Sequence, residues 1–350
     1  MTHGDDARAR RDAAGAATIY RVAEHARVSI ATVSRVLQGS SIVTAATRTR
    51  VLEAIEALDY VPSGAARSLA VRRHGTFGLA LPELAGPYYA ELLMGFETRA
   101  ADLGQSVMLV LGRSGADRAR RLRELTTRVD AIALFGADAP TDAGFGARPV
   151  VVIAGRPDRG VETITAENRT SAEQLTTHLL EHGRRRLLFV GDVDAAVDLS
   201  ERHEGFVAAH RALGLEPAAP VPVDPREEAG VAVADRLLAG ELVADGLVCG
   251  NDELALAAMG RLLDGGVDVP VDVAVTGWDD VMTARYVRPA LTTVRQPVQR
   301  LGAVAADRLA HLLAGGSPRG APQVLPTEVV LRASCGCLPS ATGTESLLPP

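Results

Sequence analysis

Residues 18–70 read TIYRVAEHARVSIATVSRVLQGSSIVTAATRTRVLEAIEALDYVPSGAARSLA. This stretch constrains the fold more than any other. Ile19, Val22 and Ala23 recur at helical spacing and Ala26 continues their face, which predicts a short first helix. Ser29 is placed to N-cap a second helix, Ile30 to Leu37. On that helix Val33 and Leu37 turn inward, while Ile30, Ala31, Ser34 and Arg35 turn outward. Thr44 opens a third helix with Val51, Ile55 and Leu58 on one stripe. None of the three can bury its apolar face alone. Two short helices with a tight turn, plus a third, define a small helix-turn-helix unit.

The exposed chemistry suits DNA. The second helix has the dimensions to enter a major groove, where Arg35 can pair bidentately with guanine O6 and N7. The hydroxyls of Tyr20, Ser29, Thr32, Thr44 and Thr47 can meet phosphates. Residues 1–75 hold 11 Arg against 7 Asp and Glu, a charge of +4; the whole chain is −6, which leaves −10 for the rest. A modestly basic head on an acidic body fits a nucleic-acid module joined to something else. A three-helix bundle with solvated charges shows the same periodicity.

The residues themselves narrow the choice. Val22-Ala23, Val28-Ser29, Thr32-Val33-Ser34-Arg35-Val36-Leu37, Thr47-Arg48, Leu58-Asp59-Tyr60-Val61-Pro62 and Ala66-Arg67-Ser68-Leu69-Ala70 stand in order and at matching spacing. By them the segment resembles the lac/gal repressor family of bacterial transcription regulators, and the resemblance continues to about residue 338. It implies that Ile30 and Ala31 set operator choice; both are apolar here, which points to contact with thymine methyls. It also implies that hinge segments pair in the minor groove, where Leu69 wedges a base step beside Ala66. An exposed linker helix with a chance Leu is the alternative.

Three departures stand out. Arg27 replaces the usual turn glycine and brings backbone strain with it. Gln38 stands where the family often has Asn. The hinge reads Pro62-Ser63-Gly64: Ser63 still caps a helix, but Gly64 weakens it.

After Gly75 the pattern changes to short β-rich runs alternating with amphipathic helices. The runs are 77–81, 107–111, 131–135, 150–154, 187–191, 247–250 and 273–277. The helical segments include 88–103, 116–129, 168–182, 200–213, 227–239 and 252–263. Such alternation predicts parallel sheets flanked by helices, with ligands at the carboxyl ends of the strands. Pro87-Tyr88-Tyr89, Gly155-Arg156, Asn168, Arg202, Asn251-Asp252, Gly277-Trp278-Asp279-Asp280 and Gln296-Pro297 again resemble the family, here its two-lobed effector domain, which is similar to periplasmic sugar-binding proteins. The resemblance implies three crossings between lobes. It divides the chain into an arm (1–17, expected disordered), a helix-turn-helix domain (18–62), a hinge helix or linker (63–74), an effector-binding and dimerisation domain (75–338) and a tail (339–350). Lobe 1 would comprise 75–166 with 297–325, and lobe 2 would comprise 167–296 with 326–338.

Arg202, Asn251 and Asp279 supply a guanidinium, an amide and a carboxylate, the mixed set that a polyhydroxylated ring needs. By resemblance these three touch ligand, Tyr88 or Tyr89 lines the other lobe, and Arg156 joins the candidates. Trp278 offers a stacking wall or else fills the interlobe hinge. The alternatives are that Asn251 and Asp280 cap helices or turns and that Arg202 forms a lobe–lobe salt bridge. Glu167 replaces an Asp, and Pro225 stands where several sugar-binding members place an aromatic.

The expected function is a cytoplasmic, nucleoid-associated repressor. It binds a near-palindromic double-stranded operator as a homodimer and responds to a small effector, a sugar or sugar derivative, with a purine or other metabolite as the alternative. A solute-binding protein is a further reading; the polar N-terminus, MTHGDDARARRDAAGAA, lacks the apolar core of a signal peptide. No apolar run of eighteen residues predicts a membrane span. An enzyme is not expected: Asp279-Asp280 and Glu167 lack a phosphate loop or a nucleophile elbow around them. No cofactor or metal is expected either. Cys335-Gly336-Cys337 is too short a motif for zinc without other ligands, and His178 and His182 read as a solvated helix face.

Overall fold

The computed structural model describes residues 18–37, 40, 42–60, 73–112, 115–136, 145–156 and 161–337. The expected arm and tail, Gln38, Ser63, Gly64, Ala66 and Leu69 lie outside the described residues. The chain divides into two compact units at His74/Gly75.

The first unit holds α1 (Ile19–His25), α2 (Ile30–Leu37) and α3 (Ala45–Ala57). Val22, Ala23, Ala26, Val33, Val36, Val51, Ala54 and Tyr60 make its core. Val36 rather than Leu37 is fully buried beside Val33; Leu37 is half-buried. Each helix is started by a hydroxyl. The side chain of Thr18 accepts from the Arg21 amide, Ser29 from Thr32 and Thr44 from Thr47. Arg27 has φ 52°, the left-handed conformation expected to strain a residue in the turn glycine's place.

The second unit carries two parallel sheets. The first is built from β1 (Thr76–Leu81), β2 (Ser106–Leu111), β3 (Ala131–Phe135), β4 (Val150–Ile153), β5 (Glu162–Ala166) and a late strand, Gln323–Leu325, in the order late strand-β5-β4-β3-β1-β2. Helices α4 (Gly86–Asp102) and α5 (Gly115–Thr126) follow β1 and β2. After β5 come α6 (Arg169–Glu181), β6 (Leu187–Val190), α7 (Val197–Ala212), α8 (Glu227–Leu238), β7 (Gly246–Cys249), α9 (Asp252–Asp264) and β8 (Ala274–Thr276). β6, β7 and β8 form the second sheet in that order. The strands are near-continuous apolar runs because helices cover both faces of such sheets. Phe77, Leu79, Leu81, Phe96 and Ile153 fill one core, and Val190, Leu247, Leu254 and Val275 another.

The short α10 (Thr283–Tyr286), then β9 (Thr293–Arg295), α11 (Val298–Leu313), β10 (Gln323–Leu325, the late strand) and β11 (Glu328–Val330) complete the chain before a 3₁₀ turn at Ala333–Cys335. Three segments join the sheets: β5 into α6, β9 into α11, and β10 into β11. They are laced together. β10 pairs with β5, β11 pairs antiparallel with β9, and the Glu167 amide donates to the Leu325 carbonyl at 2.8 Å. Four of the strands are absent from the sequence-based alternation, β5, β9, β10 and β11, as are the helices α10 and α11. β5 reads ETITA, and its buried Glu162 is paired by Arg308 of α11, with Arg319 a further 3.9 Å contact. A polar letter neutralised by a distant partner hides the strand from local pattern.

Helices α4 and α11 meet through two glycines. A Cβ on Gly95 would lie 1.9 Å from the Gln299 carbonyl oxygen, and one on Gly302 would lie 2.3 Å from that of Leu92. Backbone meets backbone there, so neither neighbour can swing aside. Gly95→Ala should destabilise the second unit by about 1–3 kcal/mol, overpacking outweighing the helix propensity gained. Chemical denaturation of the full chain checks this; an unchanged midpoint would mean the two helices can part freely.

Candidate functional site

On α2, Ile30, Ala31 and Arg35 are exposed, and Thr32 and Ser34 are half-buried. Tyr20 is 69% exposed. Thr44 is exposed, and its hydroxyl donates to Thr47 Oγ1 at 3.0 Å. The described part of the sequence-derived DNA face is therefore available on one small folded unit, its backbone set by the caps that the same hydroxyls provide.

In the second unit a cavity of about 140 Å³ lies at the carboxyl ends of strands from both sheets. It adjoins a hollow of about 460 Å³ that shares Glu83, Ala85 and Glu253 with it. Together they fall in the ~300–1,000 Å³ range of small-molecule sites. Tyr88 and Tyr89 enter from the first turn of α4, just beyond β1, and meet Phe135 at the end of β3. The three rings stand edge to face, with centroids 5.2–5.8 Å apart. Arg202, Asn251 and Asp279 line the opposite side with Asp198 and Gln296.

Arg202 is 6% exposed. Its Nε donates to Asn168 Oδ1 at 2.9 Å and its Nη1 to the Gly250 carbonyl at 2.7 Å; Nη2 stands 3.7 Å from Asp198. The guanidinium lies over the Trp278 ring at 4.5 Å. Asn168 in turn donates to Glu201 Oε2 at 2.9 Å and to the Ala166 carbonyl. Asp279 Oδ1 accepts from Gln296 Nε2 at 2.6 Å. Burial pushes the Asp279 carboxyl well above its ordinary range, against the pull of Arg202. Burial, then the charges of Asp198 and Asp279, raise the Tyr88 phenol, so it stays protonated and can donate into the cavity. Asn251 caps α9: its Oδ1 accepts from the Leu254 amide at 3.0 Å while Nδ2 donates to the Pro225 carbonyl. Asp280 turns away from the cavity to Arg285, Arg295 and Arg332.

Two expected ligand residues do not reach the cavity. Trp278 is 2% exposed and packs with Ala172, Leu175 and Val294 beneath Arg202, so its ring face is already taken. Arg156 is exposed and is not among the lining residues. A third expectation is incomplete. His182 is exposed and His178 half-buried on that helix face, but the Nε2 of His178 also lies 3.4 Å from the sulfurs of both Cys335 and Cys337. Sequence reasoning missed Phe135, Asp198 and Gln296 as lining residues. Asp198 carries a usable signal, standing four residues before Arg202 on one helix. Phe135 carries none, being one more strand residue.

Comparison with known proteins follows the same division. The model of the bacterial regulatory proteins of the lacI family matches residues 18–63, and that of the periplasmic binding protein-like domain matches residues 176–335. The transcriptional repressor PurR of Pasteurella multocida (strain Pm70) is 30% identical over 334 residues, 91% of this chain and 98% of that protein. The regulator CelR of Thermobifida fusca is 33% identical over 336 residues, with the same coverage. The solved lac repressor dimer bound to operator and the anti-inducer ONPF matches with a TM-score of 0.83 at 28% identity, covering 91% of this chain and 99% of that one. A helix-turn-helix unit followed by a periplasmic-binding-protein-like α/β unit is the architecture of a DNA-binding transcriptional regulator, not of an enzyme. The chain belongs to the lacI family of bacterial regulatory proteins. Among the described residues no helix is long and apolar enough to cross a membrane.

Asp252 supports the site from beneath. Its carboxylate accepts from the Thr293 hydroxyl at 2.6 Å and the Val281 amide at 2.9 Å, tying α9 to β9. Burial nonetheless pushes it from 3.8 up to about 7. A raised carboxyl favours the folded state fully at low pH, and the advantage is lost as pH rises from about 4 to about 7. Asp252→Asn should flatten the stability of the second unit across that window. A denaturation series from pH 4 to 8 that keeps the wild-type slope in the variant would remove Asp252 as its source.

Proposed function

We propose that this regulator is a repressor whose operator affinity is set by a small neutral polyol, a sugar or sugar derivative, held in the cleft of the second unit. The carrying observation is the charge of the lining. Glu83, Asp198, Glu253 and Asp279 line the cavity with Arg202, which is already engaged by Asn168, Gly250 and Asp198, and in the adjoining hollow Arg226 is taken up by Glu83 at 2.6 Å. Such a wall meets hydroxyl groups with carboxyl oxygens and leaves an anionic effector little to pair with. Tyr88, Tyr89 and Phe135 supply the apolar side that a sugar ring also needs. The solved CelR–cellobiose complex, matched with a TM-score of 0.68 at 32% identity, supports a sugar. The similarity to PurR and the aromatic wall favour a purine as the second reading.

In this reading Tyr88, Tyr89, Arg202, Asn251 and Asp279 hold the ligand. Asp279 also carries the signal. Its amide donates to the Val294 carbonyl at 2.8 Å, so a ligand drawn to its carboxylate pulls on β9, one of the three crossovers. The lobes take the bounds given above, 75–166 with 297–325 and 167–296 with 326–338. Residues 63–74 form the hinge. Two copies present two headpieces to a near-palindromic operator, as the lac repressor structure is a dimer on its operator. Arg35 reads guanine, Ile30 and Ala31 meet thymine methyls, and Tyr20, Ser29, Thr32, Ser34, Thr44 and Thr47 meet the backbone or base edges. Ligand control requires different affinity for the two conformations.

The first experiment is binding of the full chain to the DNA upstream of its own gene, at fixed salt, across a panel of sugars and nucleobases. A shift caused by nucleobases alone replaces the sugar reading with the purine one, and indifference to every compound sinks both. Asp279→Ala should abolish the ligand-induced shift with operator affinity unchanged; a normal shift returns Asp279 to a structural role. Arg35→Ala should cost about 1–3 kcal/mol on the operator and relax base preference at one position. Unaltered specificity in that variant would refute the guanine contact.

A further inference from the structure

The C-terminal turn of α6 carries His178, and His182 follows as its C-cap. His178 stands ten residues beyond Asn168, about 15 Å along the helix axis, so this end of α6 is remote from the cleft. Facing it is the end of the described chain, where Cys335 closes the 3₁₀ turn and Cys337 follows two residues later. Gly336 between them has φ 102°, a left-handed conformation that a side chain would strain. His178 Nε2 lies 3.4 Å from Cys335 Sγ and 3.4 Å from Cys337 Sγ. His182 Nε2 lies 3.8 Å from Cys337 Sγ, and the two imidazoles are 4.3 Å apart at their centroids.

We propose that His178, Cys335 and Cys337, whose ligand atoms all lie within 4.8 Å of one another, form a site for one zinc ion that the exposed His182, swung inward, completes as a tetrahedron. With Zn–S of ~2.3 Å and Zn–N of ~2.0 Å, a tetrahedron has S···N edges of about 3.5 Å. The three nitrogen–sulfur separations bracket that value. The two histidines are four residues apart at the end of α6, His178 in its last turn and His182 as its C-cap, which puts both rings on one side of the helix at the His-x₃-His spacing common in structural zinc sites. Two sulfurs and two imidazoles suit zinc and disfavour magnesium or calcium, which take oxygen ligands. The tight Cys-Gly-Cys segment lacks ligands of its own; the fold delivers them from a helix more than 150 residues earlier in the chain. Cys335 is buried against Leu179, Leu187 and Ala274, while His182 is exposed and Cys337 half-buried. The buried ligand is thus held rigidly and the outer two leave an entry path. On binding, the two thiols release two protons to solvent and the ion takes two thiolates and two neutral imidazoles. The bound ion pins the last segment of the effector unit to α6, three residues after Arg332 reaches Asp280.

The test uses the full chain made without a polyhistidine tag, kept under reductant and dialysed against metal-free buffer. Elemental analysis should find about one zinc per chain, and cobalt(II) substituted for it should show tetrahedral ligand-field bands with thiolate charge transfer. His182→Ala and Cys337→Ser alter the less buried ligands, so both variants should keep the wild-type circular dichroism. Each should weaken zinc binding by more than about 10-fold, measured by competition with a chelator. Zinc below about 0.1 equivalent in the wild type with no thiolate–cobalt band overturns the site. So does undiminished affinity in Cys337→Ser, or a Cys335–Cys337 disulfide that persists under reductant.

Discussion

A guanidinium almost wholly withdrawn from water organises the second unit. Burying such a charge costs several kcal/mol unless its hydrogen bonds are replaced and its charge is met. Around Arg202 the replacements come from separate places: Asn168 ahead of α6, the Gly250 carbonyl just past β7, Asp198 one turn back on α7, and the Trp278 face beneath. Asn168 extends the network to Glu201 and to the Ala166 carbonyl at the end of β5. The arginine thereby holds two strand ends and two helices at one point, and the cavity takes its shape there. Removing it would leave Asp198 buried without its cation, a larger loss than the contacts themselves.

Next to this centre, two adjacent carboxylates are driven apart. Burial raises Asp279, which faces the cavity. Burial also works on Asp280, but hydrogen bonds from Arg295 and Arg332 outweigh it and hold that carboxyl below its ordinary value. One residue is thus left open to an approaching donor while its neighbour is locked as an anion. Both have positive φ, 121° and 58°, which side chains tolerate only under surrounding constraint. The constraint is visible in the ties to β9 and to the segment after β11. The carboxyl that faces the cavity thus shares a dipeptide with the anchor of the crossovers.

The first unit depends on none of this. Among the described residues it has its own core of eight buried side chains, and hydroxyl caps begin α1, α2 and α3. The capping and exposed hydroxyls therefore serve two ends, fixing the helix starts and offering donors beside the exposed face of α2.

Local chemistry determined much of this from sequence alone. Ser29 and Thr44 as caps, the inward Val33 and Val51, the strain at Arg27 and the apolar runs of β1, β3, β6 and β7 depend on neighbours a few residues away, so their letters suffice. Arg202, Asn251 and Asp279 were legible as a polar set beyond strand ends, and they do line one cavity. Tertiary structure decided what depends on distant partners. It placed Trp278 under Arg202 instead of in the cavity, and left Arg156 outside. It made a strand of ETITA by pairing Glu162 with Arg308. It also brought His178 and His182 against Cys335 and Cys337, residues that look ordinary apart. The physical reason is the same in each case. A polar side chain is buried, exposed or made a ligand according to which partner reaches it, and such partners come from anywhere in the chain.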